Sequence, residues 1–214
     1  MVGPMGTYNQ IAGRGLERIA ALSDGLFAFA MTVIVLEIHV PDVGGVHTEA
    51  QLWHALVGLG PRAVTWLLSF LTLGIFWVGQ QTQLNHLTHT DRDLSWLHLA
   101  FLAAVAVTPF STEVLADFIG FRIALVAYWL NILVLGALLY ASLAYATKAG
   151  LMKPEVTPHL LAAMRRRIVL AQTLYALGAA LCVISPYWSI GFIVLVQLNY
   201  AIAPRIPGLV KLTG

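Results

Sequence analysis

The chain contains few charged residues: 12 lysines and arginines and 10 aspartates and glutamates among 214 residues, or 10% of the total. Soluble globular proteins carry about 25% charged residues because their surfaces face water. Hydrophobic residues instead make up 59% of this sequence, and its mean hydropathy is +0.80. The scarcity of charge excludes a water-soluble globule and indicates an integral membrane protein.

Cysteine is almost absent as well, with Cys182 as the one example in the sequence. A single cysteine excludes a disulfide framework, and we interpret it as a small buried apolar residue. The sequence also lacks a CxxC pair, an HExxH helix, a GxSxG elbow and a glycine-rich phosphate loop, which are signatures of soluble enzymes and metal sites. No enzyme activity, cofactor or resident metal is therefore predicted, and the net charge of +2 does not indicate a nucleic-acid partner.

Long apolar runs are present instead, and they predict six membrane-spanning helices, since a helix of about 20 apolar residues crosses the hydrocarbon core. Proline, glycine and polar clusters such as Pro41-Asp42, Gly44-Gly45 and Ser185-Pro186 separate the runs. The predicted spans are residues 19–40, 63–84, 94–116, 123–146, 168–184 and 186–203. The predicted fold class is all-α, a polytopic membrane helical bundle that forms one transmembrane domain over residues 1–214.

The distribution of lysine and arginine predicts the orientation of this bundle, because cytoplasmic segments are enriched in both. With a cytoplasmic N-terminus, the outer loops contain only Arg62 and Arg122. The other ten cations then lie inside: Arg14, Arg18, Arg92, Lys148, Lys153, Arg165, Arg166, Arg167, Arg205 and Lys211. We therefore expect both termini in the cytoplasm of a multi-pass protein of the inner cell membrane.

A carboxylate lies inside the first span, at Asp24, directly after Ser23. An ionisable group at the centre of a membrane helix costs about 2.5–3.5 kcal/mol on translocon scales, so it needs a partner, water or a function to persist. One interpretation is a hydrogen-bonded pair that holds the first helix to its neighbours. The other is a direct part in ion or proton movement, and the residues by themselves leave both open.

A bulky apolar stripe runs along another face of the same helix. Phe29, Val33 and Leu36 are spaced i, i+4 and i+7, with Thr32 beside them, so they share one face. Asp24 points well over 100° away from the middle of this stripe. Periodicity alone suggests that the stripe faces lipid or the core of the bundle.

The first span resembles the RxxxFSDGxxAIxxT signature of bacterial members of the TMEM175 potassium channel family, a group of six-span proteins. The matching residues are Arg18 followed by Leu22-Ser23-Asp24-Gly25 and then Phe27-Ala28-Phe29-Ala30-Met31-Thr32. Further similar positions are Phe76-Trp77, the segment 94–99 and Pro109-Phe110-Ser111-Thr112. The resemblance covers the first half of the chain by motif and the second half by the number of spans.

The resemblance implies a homotetrameric, potassium-permeable cation channel whose central pore is lined by the first helix of each subunit. Phe29, Val33 and Leu36 would form stacked rings around the ion path with Thr32 near them, and Phe29 would form the narrowest ring. The sequence has no TVGYG segment, so a hydrophobic constriction would replace the usual filter of backbone carbonyls. The expected partners are potassium ions, further copies of the chain and membrane lipids.

A structural network around the first helix is also expected from the resemblance, with Arg18, Ser23, Asp24, Trp77 and His98 as its members. In this arrangement Ser23 and Asp24 turn into the subunit and bond to later helices, and the apolar stripe faces the pore. Asp24 then holds the helix in register and is not itself the ion site.

The sequence departs from the family pattern at four positions or pairs. Leu22 replaces a phenylalanine, Gln80-Gln81 replaces a pair of histidines, and His98 replaces an asparagine. His98 is therefore a candidate partner of Asp24. Phe29 stands where isoleucine or leucine is expected, and four phenyl rings would either plug a narrow pore or rotate into a wider one.

Glu37 lies near the outer end of the first span. It could form an acidic ring that concentrates cations at an outer mouth, or it could be a terminal carboxylate that pairs with Arg62 or Arg122. Two other groups are interpreted more simply. The segment 85–93, which is rich in histidine and aspartate, is expected to be a solvated loop, and Arg165-Arg166-Arg167 is expected to meet anionic lipid headgroups.

Two other functions, a transporter and an intramembrane enzyme, are alternatives to the channel. A proton- or sodium-coupled secondary transporter would use Asp24 as its ion site, but such proteins usually show internal repeats and broken helices, and neither is evident here. An intramembrane enzyme would need Ser23, Asp24 and His98 as a relay. Ser23 and Asp24 are adjacent on one helix and point about 100° apart, which is poor geometry for a relay.

Overall fold

A computed structural model describes residues 15–39 and 45–202, except for the side chains of Glu37 and Ile202. Within this part the regular elements are helices. An isolated antiparallel β-bridge joins Leu87 and Met152 in the loops. The helices are α1 (Leu16–Val33), α2 (Glu49–Gly58), α3 (Gly60–Leu84), α4 (Arg92–Asp117), α5 (Arg122–Lys148), α6 (Pro158–Ala180) and α7 (Pro186–Ile202). The predicted all-α fold class is confirmed.

Five helical segments are long and apolar enough to cross a membrane. They are Leu16–Leu36, Gly60–Leu84, Arg92–Asp117, Arg122–Lys148 and Pro158–Val183. The sixth predicted span corresponds to α7, which has 17 residues and is about 25 Å long at 1.5 Å per residue. The hydrocarbon core is about 30 Å thick, so α7 does not by itself reach that length within the described residues. The chain is a multi-pass membrane protein.

The ends of two predicted spans, the first and the fifth, differ clearly from the sequence prediction. The first α-helix ends at Val33 and continues as a 3₁₀ turn over Ile34–Glu37, and the expected last residue of that span lies outside the described residues. Helix α6 begins ten residues before the predicted position because Thr157 caps it, with its hydroxyl oxygen 3.2 Å from the Leu160 amide nitrogen. The three arginines that precede the predicted apolar run are part of this helix, since arginine is a good helix former.

Aromatic and aliphatic side chains fill the centre of the bundle. Phe27 of α1, Phe76 of α3 and Phe101 of α4 are at most 5% exposed, and the Phe101 ring lies 6.0 Å from Phe27 and 6.3 Å from Phe76 between centroids. Tyr128 of α5 is fully buried in the same cluster. The centre of one chain's bundle is therefore filled by side chains.

A chain of polar groups crosses this apolar interior and joins four helices. Thr112 of α4 donates to Ser69 of α3 over 2.7 Å, and Ser69 donates to Tyr128 over 3.2 Å. Tyr128 also bonds Thr72 at 2.9 Å, and the Gln197 amide of α7 donates to Thr72 over 2.6 Å. Each bond satisfies a polar group that would be costly to leave unpaired in hydrocarbon.

The loops at one end of the bundle are docked against each other. The Lys153 amide donates to the His86 carbonyl over 2.9 Å, beside the bridge between residues 87 and 152. Asp91 is 8% exposed, caps α4 by accepting from the Leu94 amide at 2.8 Å, and also accepts from the Tyr145 hydroxyl at 2.7 Å. The expectation of a simply solvated loop is therefore wrong for Asp91, which holds α4 and α5 together.

Candidate ion pathway and the anchor of the first helix

One face of α1 is left uncovered by the rest of the chain. Phe29 and Leu36 are each 69% exposed, Leu22 is 49% exposed, Thr32 is exposed and Val33 is half-buried. The opposite face consists of Phe27, Ala30 and Ile34, which are buried at i, i+3 and i+7 and pack on α3 and α4. The apolar stripe of the first span, which the resemblance predicts to line a pore, therefore lies on the surface of the single chain.

Thr32 adds an oxygen to this otherwise apolar surface. Its hydroxyl lies 3.0 Å from the Ala28 carbonyl oxygen and 2.8 Å from that of Phe29, so the hydroxyl proton is used within α1. The hydroxyl oxygen keeps its capacity to accept. A cation moving along this face would find one side-chain oxygen per chain at the level of Thr32.

Asp24 is anchored to α3 by two donors that meet at the same carboxylate oxygen. Trp77 Nε1 lies 2.8 Å and Gln81 Nε2 lies 2.6 Å from Asp24 Oδ1. Asp24 itself is still exposed at the surface of the single chain. It lies eight residues after Leu16, which is about 12 Å along the helix, and a carboxylate at that depth needs cover from protein or water.

Ser23 points in a different direction from Asp24, as adjacent helical residues must. It is fully buried, and its hydroxyl donates to Gln80 Oε1 of α3. Gln80 Nε2 lies 3.5 Å from His98 Nδ1 of α4. The suggestion that His98 bonds Asp24 is wrong: His98 is 2% exposed on the inner face of α4 and contacts Gln80, while Asp24 lies at the edge of the bundle.

Two residues that bind α1 were noticed in the sequence only as departures from the family pattern. Gln80 holds Ser23, and Gln81 holds Asp24. Together with Trp77 they occupy positions i, i+3 and i+4 of α3, so they share one helical face. That spacing indicates a contact with another helix, because a face that carries an indole and two amides inside a membrane span needs polar partners on a neighbouring helix.

The remaining predicted site residues are placed as follows. Arg18 is exposed, and no hydrogen bond from it to Asp24 or Ser23 occurs in the described structure. The side chain of Glu37 lies outside the described residues, so its two interpretations stay open. Arg62 forms an ion pair with Asp117 over 2.7 Å, and Arg122 donates to the Val183 carbonyl over 3.0 Å.

No cluster of three histidine, cysteine, aspartate or glutamate side chains suited to hold a metal ion occurs in residues 15–39 and 45–202. The polar groups near α1 are amides, an indole and a hydroxyl, which fix the helix against α3. The geometry thus separates two faces of α1, one anchored by hydrogen bonds and one free.

Comparison with known proteins gives a consistent answer. Residues 18–109 match the family described as the endosomal/lysosomal potassium channel TMEM175. A protein named as a potassium channel from Streptomyces collinus is 32% identical over 173 residues, which cover 78% of this chain and 82% of that protein. Another, from Chamaesiphon minutus, is 30% identical over 189 residues, which cover 86% and 93%.

A solved structure shows the same fold. The crystal structure of a lysosomal potassium-selective channel TMEM175 homolog from Chamaesiphon minutus superimposes with a TM-score of 0.77 at 27% identity. The match covers 89% of this chain and 98% of that one. Because the sequence relatives are matched over most of their length and the fold agrees, this chain belongs to the TMEM175 family.

Proposed function

We propose that the chain forms a potassium-permeable channel in the cell membrane, assembled as a homotetramer around a pore lined by α1. The observation that carries this proposal is the free apolar face of α1 beside a bundle whose own centre is filled. Relatives that match over four-fifths or more of their length are named as potassium channels, which supports potassium as the permeating ion.

The filled bundle favours a pathway between copies of the chain. Phe27, Phe76 and Phe101 occupy the centre of one bundle, so a single copy offers ions no route through its core. Phe29 of α1 and Leu36 of the 3₁₀ turn that continues it project into open space instead. Several copies with this face turned toward a common axis would enclose a pore with Phe29 and Leu36 as successive apolar rings.

The exposure of Asp24 supports assembly independently. A carboxylate about 12 Å along a span cannot face hydrocarbon without a cost of a few kcal/mol. Trp77 and Gln81 satisfy one of its oxygens, while the residue stays exposed in the single chain. A neighbouring copy that covers this edge removes the contact with lipid.

Ion selection at such a pore rests on dehydration. A ring of phenyl groups offers no oxygen to replace the water shell, so a hydrated ion has to shed water to pass, and potassium sheds water more easily than sodium. Apolar constrictions also gate by dewetting. The Thr32 oxygen, one turn from Phe29, supplies one polar contact per copy next to the constriction.

A proton- or sodium-coupled transporter is the competing function, with Asp24 as its ion site. The hydrogen bonds of Asp24 Oδ1 to two donors of α3 favour a structural role for this carboxylate, because a transport site has to exchange its partners in each cycle. A flux measurement separates the two functions.

The test uses purified protein in a planar lipid bilayer with a potassium gradient. We expect discrete unitary currents that reverse near the potassium equilibrium potential and persist when the proton gradient is removed. Saturable flux without unitary events, coupled to a proton or sodium gradient, would overturn the proposal. Light scattering of the purified complex should give four copies per particle, and another number would refute the tetramer.

A further inference from the structure

A cleft opens between α3, α5, α6 and α7, away from the free face of α1. Its volume is about 60 Å³, and its walls include Phe76, Gly79, Leu139, Ala171 and Tyr200. These side chains are apolar or aromatic, and Leu139 approaches Gly79 closely: a Cβ atom at position 79 would lie 3.3 Å from Leu139 Cδ2. We call this space the α6 cleft.

One full charge lies at the α6 cleft. Arg167 of α6 contributes to the lining, and its guanidinium carbon is 6.0 Å from the centroid of the Tyr200 ring. A cation near an aromatic face is attracted electrostatically to the ring. This contact keeps Arg167 beside the cleft, and no carboxylate partner for Arg167 occurs in the described residues.

The position of Arg167 along α6 places it inside the span, toward one membrane surface. It lies 16 residues before Val183, the last residue of the apolar segment Pro158–Val183, which is about 24 Å of helix. The hydrocarbon core is about 30 Å thick, so the arginine lies close to the boundary of that core. Arginines at this level extend their guanidinium toward the interface.

Several further cations of the described residues lie near the same end of the bundle. Lys148 ends α5, Lys153 follows in the next loop, and Arg165 and Arg166 precede Arg167 on α6. The distribution of lysine and arginine predicts this end to be cytoplasmic. Anionic lipids are attracted to basic segments of this kind by about 1 kcal/mol per cation near the membrane surface.

We propose that the α6 cleft is a binding site for one anionic phospholipid. The lipid phosphate binds the Arg167 guanidinium, which presents paired N–H donors that suit a phosphate. The volume of about 60 Å³ admits a short part of one acyl chain, against Gly79, Leu139 and Ala171, and the rest of that chain lies along the outer surface of the helices. Charge and shape together select this ligand, since the cleft joins an unpaired cation to an apolar groove.

The test measures lipid binding to the purified full-length protein by native mass spectrometry, with dioleoyl phosphatidylglycerol as the probe. We expect Arg167→Gln to weaken phosphatidylglycerol binding about fivefold, which corresponds to the loss of about one cationic contact. The matched control is Arg166→Gln, which removes the same charge from an exposed neighbour that does not line the cleft. It should weaken binding less than twofold.

A second variant separates the cleft from the charge and keeps the test decisive if Arg167→Gln fails to fold. Ala171→Leu fills the cleft while all arginines remain, and we expect it to weaken phosphatidylglycerol binding as well. Equal losses in the two arginine variants would overturn the proposal, because surface charge would then explain binding. Equal binding of dioleoyl phosphatidylcholine, full competition by inorganic phosphate, or unchanged binding in Ala171→Leu would each overturn it too.

Discussion

Replacing Asp24 by asparagine tests whether this carboxylate holds the helix or handles ions. Trp77 and Gln81 both donate to Asp24 Oδ1, at 2.8 and 2.6 Å. Asparagine keeps a carbonyl oxygen at the position of Oδ1, so both hydrogen bonds can form with the same geometry. The change therefore removes the charge and leaves most of the shape.

The expected magnitude follows from the two bonds. Hydrogen bonds to a charged group contribute about 1.5–3 kcal/mol and neutral ones about 1 kcal/mol, so the charge is worth roughly 1 kcal/mol per bond. Because Asp24 is exposed in the single chain, we expect the loss of its charge to lower the free energy of unfolding by about 1–2 kcal/mol in total. Domains of this size lose about 2–4 °C of melting temperature per kcal/mol, so Asp24→Asn should melt a few degrees below the wild-type protein.

Asp24→Ala should lower the free energy of unfolding more than Asp24→Asn does, because it leaves both donors without an acceptor. Trp77 and Gln81 are not buried in the single chain, but polar groups without a partner in hydrocarbon cost several kcal/mol, so a loss of about 2 kcal/mol or more is expected, together with loss of the assembled oligomer. The matched control is Glu17→Gln, which neutralises an exposed carboxylate in the first turn of the same helix and should leave the melting temperature unchanged.

The assay is thermal unfolding of the purified protein in detergent, with light scattering for the oligomeric state and bilayer recording for ion preference. Trp77→Phe, which removes Nε1 and keeps a ring, completes a double-mutant cycle with Asp24→Asn. We expect a coupling energy of at least 0.5 kcal/mol, the range for residues in contact. A stable oligomer with unchanged melting temperature and a reversed potassium-to-sodium preference would refute the anchoring role.

Three further predictions address the pore and the packing. Phe29→Ala should raise the unitary current or relax selectivity while the oligomer persists, and Phe110→Ala, equally exposed on α4, should change neither; unchanged permeation in Phe29→Ala would remove it from the constriction. Thr32→Val should keep the fold, since its hydroxyl bonds only its own helix, but reduce potassium preference in bi-ionic reversal potentials, and an unchanged potential would contradict the role of that oxygen. Gly136→Ala should destabilise the protein by about 1–3 kcal/mol in thermal unfolding, because its new methyl group would overlap Gln172. Adding Gln172→Ala to this variant should restore stability, and failure to do so would show that another contact limits the site.

Five of the six predicted spans correspond to helical segments long and apolar enough to cross a membrane, because hydrophobicity and length dominate membrane insertion. The ends could not be predicted as well where polar residues continue a helix. Arg165, Arg166 and Arg167 lie before the predicted start of the fifth span but inside α6, since helical propensity and the cap at Thr157 act on the backbone irrespective of hydrophobicity. The short helix Glu49–Gly58 was missed for the opposite reason: it is too short and too mixed in composition to produce a span signal.

The division of α1 into a free face and an anchored face could be predicted from helical periodicity, whereas the partners of the anchor could not. Which side chains of α3 and α4 reach α1 depends on how the helices cross, and the sequence carries no distance information of that kind. His98 was therefore assigned to the wrong neighbour, and Gln81 was given no role. The spacing of Trp77, Gln80 and Gln81 indicates a polar face on α3, but it does not indicate the residues opposite.

In the proposed channel, the two anchors of α1 let a structural carboxylate influence a pore that it does not line. Ser23 bonds Gln80 inside the bundle and Asp24 bonds Trp77 and Gln81 at its edge, so α1 is held at two directions about 100° apart. A single bond would allow the helix to turn about its axis, but two bonds in different directions oppose rotation either way. Phe29 is on the same rigid helix, so the direction in which its ring projects is set by the Ser23 and Asp24 bonds. Loss of either anchor should therefore alter permeation only through rotation or loss of α1, and its effect on ion preference should always come with a change in stability.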